Sequence, residues 1–191
     1  MTPDARILRD SFRQAMQRLA STVCILTGGQ PGAHRGLTAT AVCSLTAEPP
    51  AVLVCINRSA GAHDAILGAG VVGVNLLSVT QLPLAERFAG MTGAVGKDRF
   101  AGADWVAGGT GAPLLRNALA ALDCRIAASV PFHTHTVLLC RIEDLRLGED
   151  SGPLLYGARA FRFLGDPVRA APADTQHHDF DAFADLPTGW N

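Results

Sequence analysis

Residues 36–59 constrain the fold of this chain more than any other stretch. They read as two strands joined by a turn at Pro49-Pro50. The first strand carries Thr38, Ala39, Thr40, Ala41, Cys43 and Ser44, small side chains interleaved with hydroxyls. The second is apolar until it ends in Asn57, Arg58 and Ser59. A strand of small residues leaves its backbone N–H and C=O groups accessible to whatever lies against it. Such a surface can hold something flat and polar. The same residues also fit a plain edge strand whose threonines favour β geometry.

Composition narrows the class. At 191 residues there is room for one domain with a sizeable core. A hydrophobic fraction of 48% with 17% charged residues suits a compact fold and argues against disorder. Net charge is −1 with no basic run, so the footprint of a nucleic-acid binder is missing. No apolar run approaches the about 20 residues of a membrane span, and the N-terminus lacks a signal-peptide layout. Cys24, Cys43, Cys55, Cys124 and Cys140 are odd in number, mostly in apolar runs, and form no Cys-x-x-Cys pair. They read as reduced core thiols, and the expected compartment is the cytoplasm.

Along the chain, residues 5–20 have helical spacing, with Leu8, Phe12, Ala15, Met16 and Leu19 on one face. A strand is predicted over 21–27, then the two strands of the opening segment. Ser59 is placed as the N-cap of a short helix through Leu67. A buried strand over 71–77 and a second helix containing Leu82, Leu84, Ala85 and Phe88 follow. Residues 89–112 hold seven glycines and read as a long loop, which in a compact domain is functional or mobile. Long strands are predicted over 118–130 and 135–147, and short ones at 154–156 and 160–164. Strands outnumber helices without regular βαβ alternation, so the fold class is mainly β with a few helices, and barrel closure would remove the sheet edges. Residues 1–165 form the domain, and from Gly165 onward a Pro-, Asp-, Ala- and His-rich composition reads as a loosely ordered tail over 166–191.

The common nucleotide fingerprints fail. Gly108-Gly109-Thr110-Gly111 neither follows a clear strand nor opens a helix. A phosphate loop at Gly96-Lys97 would need glycine where Met91 stands and Ser or Thr where Asp98 stands. No Gly-x-Ser-x-Gly elbow is present. His133 and His135 share one side of a strand, but no third ligand stands at metal-site spacing, so no metal is assigned. Alone, His135 reads first as a histidine at the rim of a sheet.

Several ordered landmarks resemble one family. They are Phe12-Arg13-Gln14-Ala15-Met16, the 37–45 strand before Pro49-Pro50, and Leu53 through Ser59. Val74-Asn75-Leu76-Leu77-Ser78, Arg99-Phe100 before Trp105, and Gly111-Ala112-Pro113-Leu114-Leu115 follow in order. Asp123-Cys124, His135-Thr136 and Pro153-Leu154-Leu155-Tyr156 complete the set. Together, over about residues 8 to 164, the chain resembles the short-chain flavin reductases, the reductase components of two-component flavin-dependent monooxygenases. Within them it looks closest to the reductases of pyrimidine utilisation and of hydroxyphenylacetate hydroxylases.

That resemblance implies an FMN-binding split β-barrel, with FMN or FAD bound at a homodimer interface and reduced by NADH or NADPH. Reduced flavin would pass to a partner flavin-dependent oxygenase. The resemblance lays the flavin ring and ribityl chain along Thr38, Ala39, Thr40 and Ala41, with Cys43 and Ser44 continuing the wall. It puts Arg99 and Phe100 within reach of the flavin. His135 falls on the nicotinamide side, although His133-Thr134 stands where the family has Gly-Asp, and Tyr156 is a weaker candidate for the same pocket. The residues themselves suit a phosphate at Asn57, Arg58 and Ser59, with His63 one turn further on, since a hydroxyl, a guanidinium and a helix start would meet there. An ordinary N-cap with an exposed arginine fits those residues equally well. Hydride transfer needs the nicotinamide C4 held about 3–3.5 Å from flavin N5 and no protein acid or base at that moment. Two alternatives stay open, a flavin-retaining oxidoreductase and a non-catalytic flavin-binding protein on the same barrel.

Overall fold

Alternation of apolar residues builds most of this molecule. The computed structural model describes residues 3–149 and 151–165, so the tail assigned to 166–191 lies outside the described residues. Helix α1 (Pro3–Met16) opens the chain, followed by strands β1 (Ser21–Thr22), β2 (Cys24–Gly28), β3 (Arg35–Ala39), β4 (Val42–Ala47) and β5 (Pro50–Asn57). Helix α2 (His63–Ala69), strand β6 (Val71–Leu76) and helix α3 (Leu82–Phe88) form the middle. Then come β7 (Trp105–Ala107), β8 (Pro113–Leu115), β9 (Ala120–Phe132), β10 (His135–Leu147), β11 (Leu155–Gly157) and β12 (Ala160–Arg162).

Seven strands make one antiparallel sheet in the order β3-β2-β6-β9-β10-β5-β4. Its two edge strands are consecutive in sequence. Only Thr40 and Ala41 separate Ala39 at the end of β3 from Val42 at the start of β4. Three Cα steps span at most about 11 Å, so the sheet curls until its edges nearly meet there. This is a split barrel, with the split at Thr40.

Both faces of β2 are buried. Cys24 and Leu26 point into the barrel with Val54, Ile56, Val72, Val74, Leu138 and Cys140. Val23 and Ile25 pack outward with Phe88, Leu114, Leu115 and Leu154. Period-2 side-chain direction makes the two cores from one strand. Gly36 stands within β3 because α3 lies against it: a Cβ there would stand 2.6 Å from the Phe88 ring.

Four sequence expectations change. The single strand over 37–45 is two strands, because the polypeptide leaves one edge of the sheet and joins the other. The first helix stops at Met16, where three-residue turns close it (Arg18 N–H to the Ala15 carbonyl, 3.0 Å; Leu19 N–H to Met16, 3.3 Å). Its apolar face is outward, with Leu8 and Phe12 at least 60% exposed. Ser59 caps nothing, since Asn57 holds it in a tight turn and α2 begins at His63. The 89–112 loop contains a 3-10 turn over Gly96–Phe100 and strand β7. Phe100 and Trp105 anchor it against Phe88, with ring centroids 5.0–5.6 Å apart.

Candidate functional site

The split opens into a cavity of about 480 Å³, inside the roughly 300–1,000 Å³ range of small-molecule sites. Thr38, Ala39, Thr40 and Ala41 form one wall, Asn57 and His135 the far rim, and Tyr156 the near side. The β-ladders explain this convergence. His135 is the direct cross-strand partner of Asn57, so two residues 78 positions apart are neighbours at one end of the cavity. Ala39 still belongs to the β2 ladder, opposite Cys24. Ala41 already belongs to β5, its carbonyl accepting from Cys55 N–H at 2.9 Å. Thr40 takes part in neither ladder. Its backbone groups are those a planar ligand in the split would meet.

The side chains divide sharply. Thr38 donates its hydroxyl to the Ala85 carbonyl at 2.6 Å, tying α3 to the wall. Ala39 faces the barrel core, and Ala41 is exposed to the cavity. Asn57 accepts at Oδ1 from the Ser59 N–H and hydroxyl, both at 2.9 Å; its Nδ2 carries no hydrogen bond among the described residues. His135 is exposed, with Nδ1 2.9 Å from the Thr134 hydroxyl and Nε2 turned away from that bond.

Beyond Asn57 a shallower cleft of about 590 Å³ is lined by Asn57, Arg58, Ser59, His63, Asp64 and His133. Arg58 is set there by its backbone N–H to the Thr134 carbonyl (2.9 Å) and its Nη1 to the His133 carbonyl (3.4 Å). Asp64 is the one carboxylate in this cleft; it is 2.7 Å from His63 Nδ1 and its own side chain is 98% exposed, so solvent screens it. His63 itself is buried and uses both ring nitrogens, the second 2.9 Å from the Thr136 hydroxyl. It ties α2 to β10.

Four residues expected beside the flavin do not line this cavity. Cys43 and Ser44 lie on exposed β4 past the cavity, because the strand has turned away by Val42. Cys55, cross-strand from Ala41, takes the place expected of Cys43; partial burial, and Cys43 nearby, raise its thiol pKa. Arg99 is spent on the carbonyls of Ala94 (3.1 Å), Phe88 (3.0 Å) and Gly36 (3.3 Å), which clamp the glycine-rich loop to β3 and α3. Phe100 sits in the outer core. Sequence reasoning missed Met91, Arg159 and Phe161, all on the cavity wall. The available signal for Arg159 was its place in the short connection between the runs predicted at 154–156 and 160–164.

Other family landmarks serve the fold. Asn75 donates to the Ile25 carbonyl (3.0 Å) and accepts from Leu115 N–H (2.7 Å). Thr27 donates to the Pro113 carbonyl at 2.5 Å. Asp123 is fully buried and accepts from Thr110 N–H (2.8 Å) and from the Thr110 hydroxyl. Gly108 is required beside it, because a Cβ there would lie 2.5 Å from the carboxylate. Among the described residues no cluster of His, Cys, Asp and Glu could hold a metal ion, and no helix is long and apolar enough to cross a membrane.

The fold therefore presents an open cavity at the barrel split, walled by the small residues Thr38, Ala39, Thr40 and Ala41 and lacking a glycine-loop fingerprint. The profile of the flavin reductase like domain matches residues 16–165, and the chain belongs to that family. It is 43% identical over 169 residues to the FMN reductase (NADH) RutF of Pseudomonas syringae, covering 88% of this chain and 94% of that protein. The reductase component of 4-hydroxyphenylacetate 3-monooxygenase from Pseudomonas aeruginosa is 41% identical over 163 residues, covering 85% and 96%. An NADH:FAD oxidoreductase of Streptomyces globisporus, solved in complex with NAD and FAD fragments, superposes with a TM-score of 0.72 at 29% identity, covering 88% and 95%.

Proposed function

We propose that this chain oxidises NADH or NADPH and reduces FMN or FAD, as NAD(P)H + flavin + H⁺ → NAD(P)⁺ + reduced flavin, and releases the product to a separate flavin-dependent oxygenase. The observation that carries this reading is the cavity at the split, where Thr38, Ala39, Thr40 and Ala41 face Asn57 and His135. Flavin supplies the hydride acceptor, N5 of its ring. The residues fit it: Ala41 adds little bulk, the Thr40 backbone offers a donor and an acceptor in line, and Asn57 Nδ2 is available at the rim. The cleft at Arg58 and Ser59 then takes the flavin phosphate, with the guanidinium and hydroxyl as donors. His135 orients the nicotinamide at the rim. The open mouth of the cavity favours exchange of flavin over retention.

The outward apolar face of α1, with Leu8 72% and Phe12 60% exposed, supports a homodimer. The reduced cysteines support a cytoplasmic enzyme. Steady-state oxidation of NADH and NADPH with FMN, FAD and riboflavin as acceptors tests the proposal. Turnover that rises with added free flavin is expected. Protein that keeps a tightly bound flavin and gains no turnover from added flavin would favour the flavin-retaining alternative.

A further inference from the structure

The short hairpin of β11 and β12 is built in an unusual way. Its two turn residues, Ala158 and Arg159, both have positive φ, 49° and 62°. That is the two-residue turn that asparagine and glycine adopt most easily and that a residue with a larger side chain adopts at a cost. The surroundings hold it in place. Ala158 N–H donates to the Gln17 carbonyl at 2.8 Å, and Gly157 backs onto Ala20 so closely that a Cβ would meet it at 3.1 Å. Glycine at 159 would relieve the backbone, yet arginine stands there.

Arg159 lines the cavity at the split, and it also borders the groove beside Phe12 and Met16. It is the one guanidinium among the described residues that line the cavity, and no carboxylate lines it. Its side chain has no ion pair or hydrogen bond among the described residues. Tyr156 and Phe161 stand beside it in edge contact, centroids 5.2 Å apart. The second guanidinium of the region, Arg58, lies in the adjoining cleft beyond Asn57.

We infer that Arg159 is the positioning residue that anchors the diphosphate of the nicotinamide dinucleotide. The inference rests on the reading of this cavity as the flavin and nicotinamide site. With the flavin phosphate at Arg58, the donor's two phosphates need a separate cation. Arg159 is the cation the cavity offers, and a guanidinium suits a diphosphate through paired N–H donors. The strained turn is retained because it aims that side chain into the cavity.

The test uses the full chain, with Arg159→Gly and Arg159→Ala, FMN as acceptor, and two hydride donors. One donor is NADH; the other is N-benzyl-1,4-dihydronicotinamide, which has the same ring and no phosphate. Loss of a charge-assisted contact predicts that KM for NADH rises about tenfold in both variants. KM for the benzyl donor and the FMN dissociation constant should stay within about twofold. Arg159→Gly should also melt higher than Arg159→Ala, which separates the binding role from a folding defect. An unmoved KM for NADH, equal losses with both donors, or a tenfold weaker FMN affinity would each overturn the assignment. Wild-type FMN binding, measured first, tells the two readings apart. Its absence overturns the functional reading and this one with it, whereas intact FMN binding with an unmoved NADH KM overturns only the role of Arg159.

Discussion

Two polar regions of this barrel, one carried by β2, β6 and β9 and the other by the ends of β5 and β10 and the β11–β12 turn, treat their polar groups differently. At the closed side, Thr27, Asn75 and Asp123 are fully buried and fully engaged, each bonded to backbone of β2, β6, β8 or the Thr110 loop. At the split, Asn57 Nδ2, His135 Nε2 and the Arg159 guanidinium face a cavity without partners among the described residues. The difference separates polar residues that specify the fold from those that wait for a ligand. A buried group left unpaired costs free energy that water cannot offset, whereas a rim group is hydrated until a ligand replaces the water.

Removing one partner at the closed side should have the largest effect. Asp123→Ala strands the Thr110 N–H and hydroxyl and opens a void beside Gly108. We expect a loss of about 3 kcal/mol or more in urea unfolding. FMN affinity per folded molecule should be unaltered. A matching loss of FMN affinity would erase the distinction between the two regions.

The cysteines follow the same division and give a pH signature. Burial pushes the thiols of Cys24, Cys124 and Cys140 up to about 12, with small additions at Cys124 from Cys140, Asp123 and Glu143. In the unfolded chain they ionise near the ordinary value of about 8.5. The unfolded state then binds fewer protons than the folded state above that value, so stability is full below it and falls as pH rises towards 12. The fall should reach about 1–2 kcal/mol per thiol by about pH 10. Thermal melts across pH 8 to 10.5 check this, and a flat profile would mean these thiols are not held in a dry core.

At the split the effects are on kinetics. His135→Ala should raise KM for NADH by about three- to tenfold and leave FMN binding in place, since one hydrogen bond to a rim group is at stake. Unchanged steady-state kinetics would remove His135 from the site. The smallest effect concerns alkylation. Saturating FMN should slow labelling of Cys55, which lines the cavity, and leave the exposed Cys43 reacting as before. Protection of Cys43 instead would restore the longer wall first expected from the sequence.

Much of the barrel was legible in the sequence because long strands alternate. The predicted 118–130 and 135–147 strands are close to β9 (Ala120–Phe132) and β10 (His135–Leu147). The break between β3 and β4 was not legible. Thr40 and Ala41 have strand-compatible side chains, and only the tertiary demand that one polypeptide visit both sheet edges bends it there. For the site, Asn57 and His135 were found as separate motifs, but their cross-strand register is a long-range fact that no local pattern carries. Arg99 misled for a related reason. An arginine in a glycine-rich loop looks free in sequence, and here the backbone carbonyls of Ala94, Phe88 and Gly36 claim it. Arg159 was overlooked because alanine and arginine are poor signals of a two-residue turn.

The double role of Ala39, on the cavity wall and against the core, decides which residue to change. Ala39 packs on the barrel core, so enlarging it would disturb fold and site together. Ala41 is exposed on the cavity wall and is the clean probe. The direct measurement is an FMN titration, by flavin fluorescence, of wild type and Ala41→Leu, alongside a thermal melt of each. A leucine across the split should weaken FMN binding at least about tenfold with the melting temperature held within a few degrees. Equal FMN affinity in the two proteins would contradict the placement of the flavin against this wall.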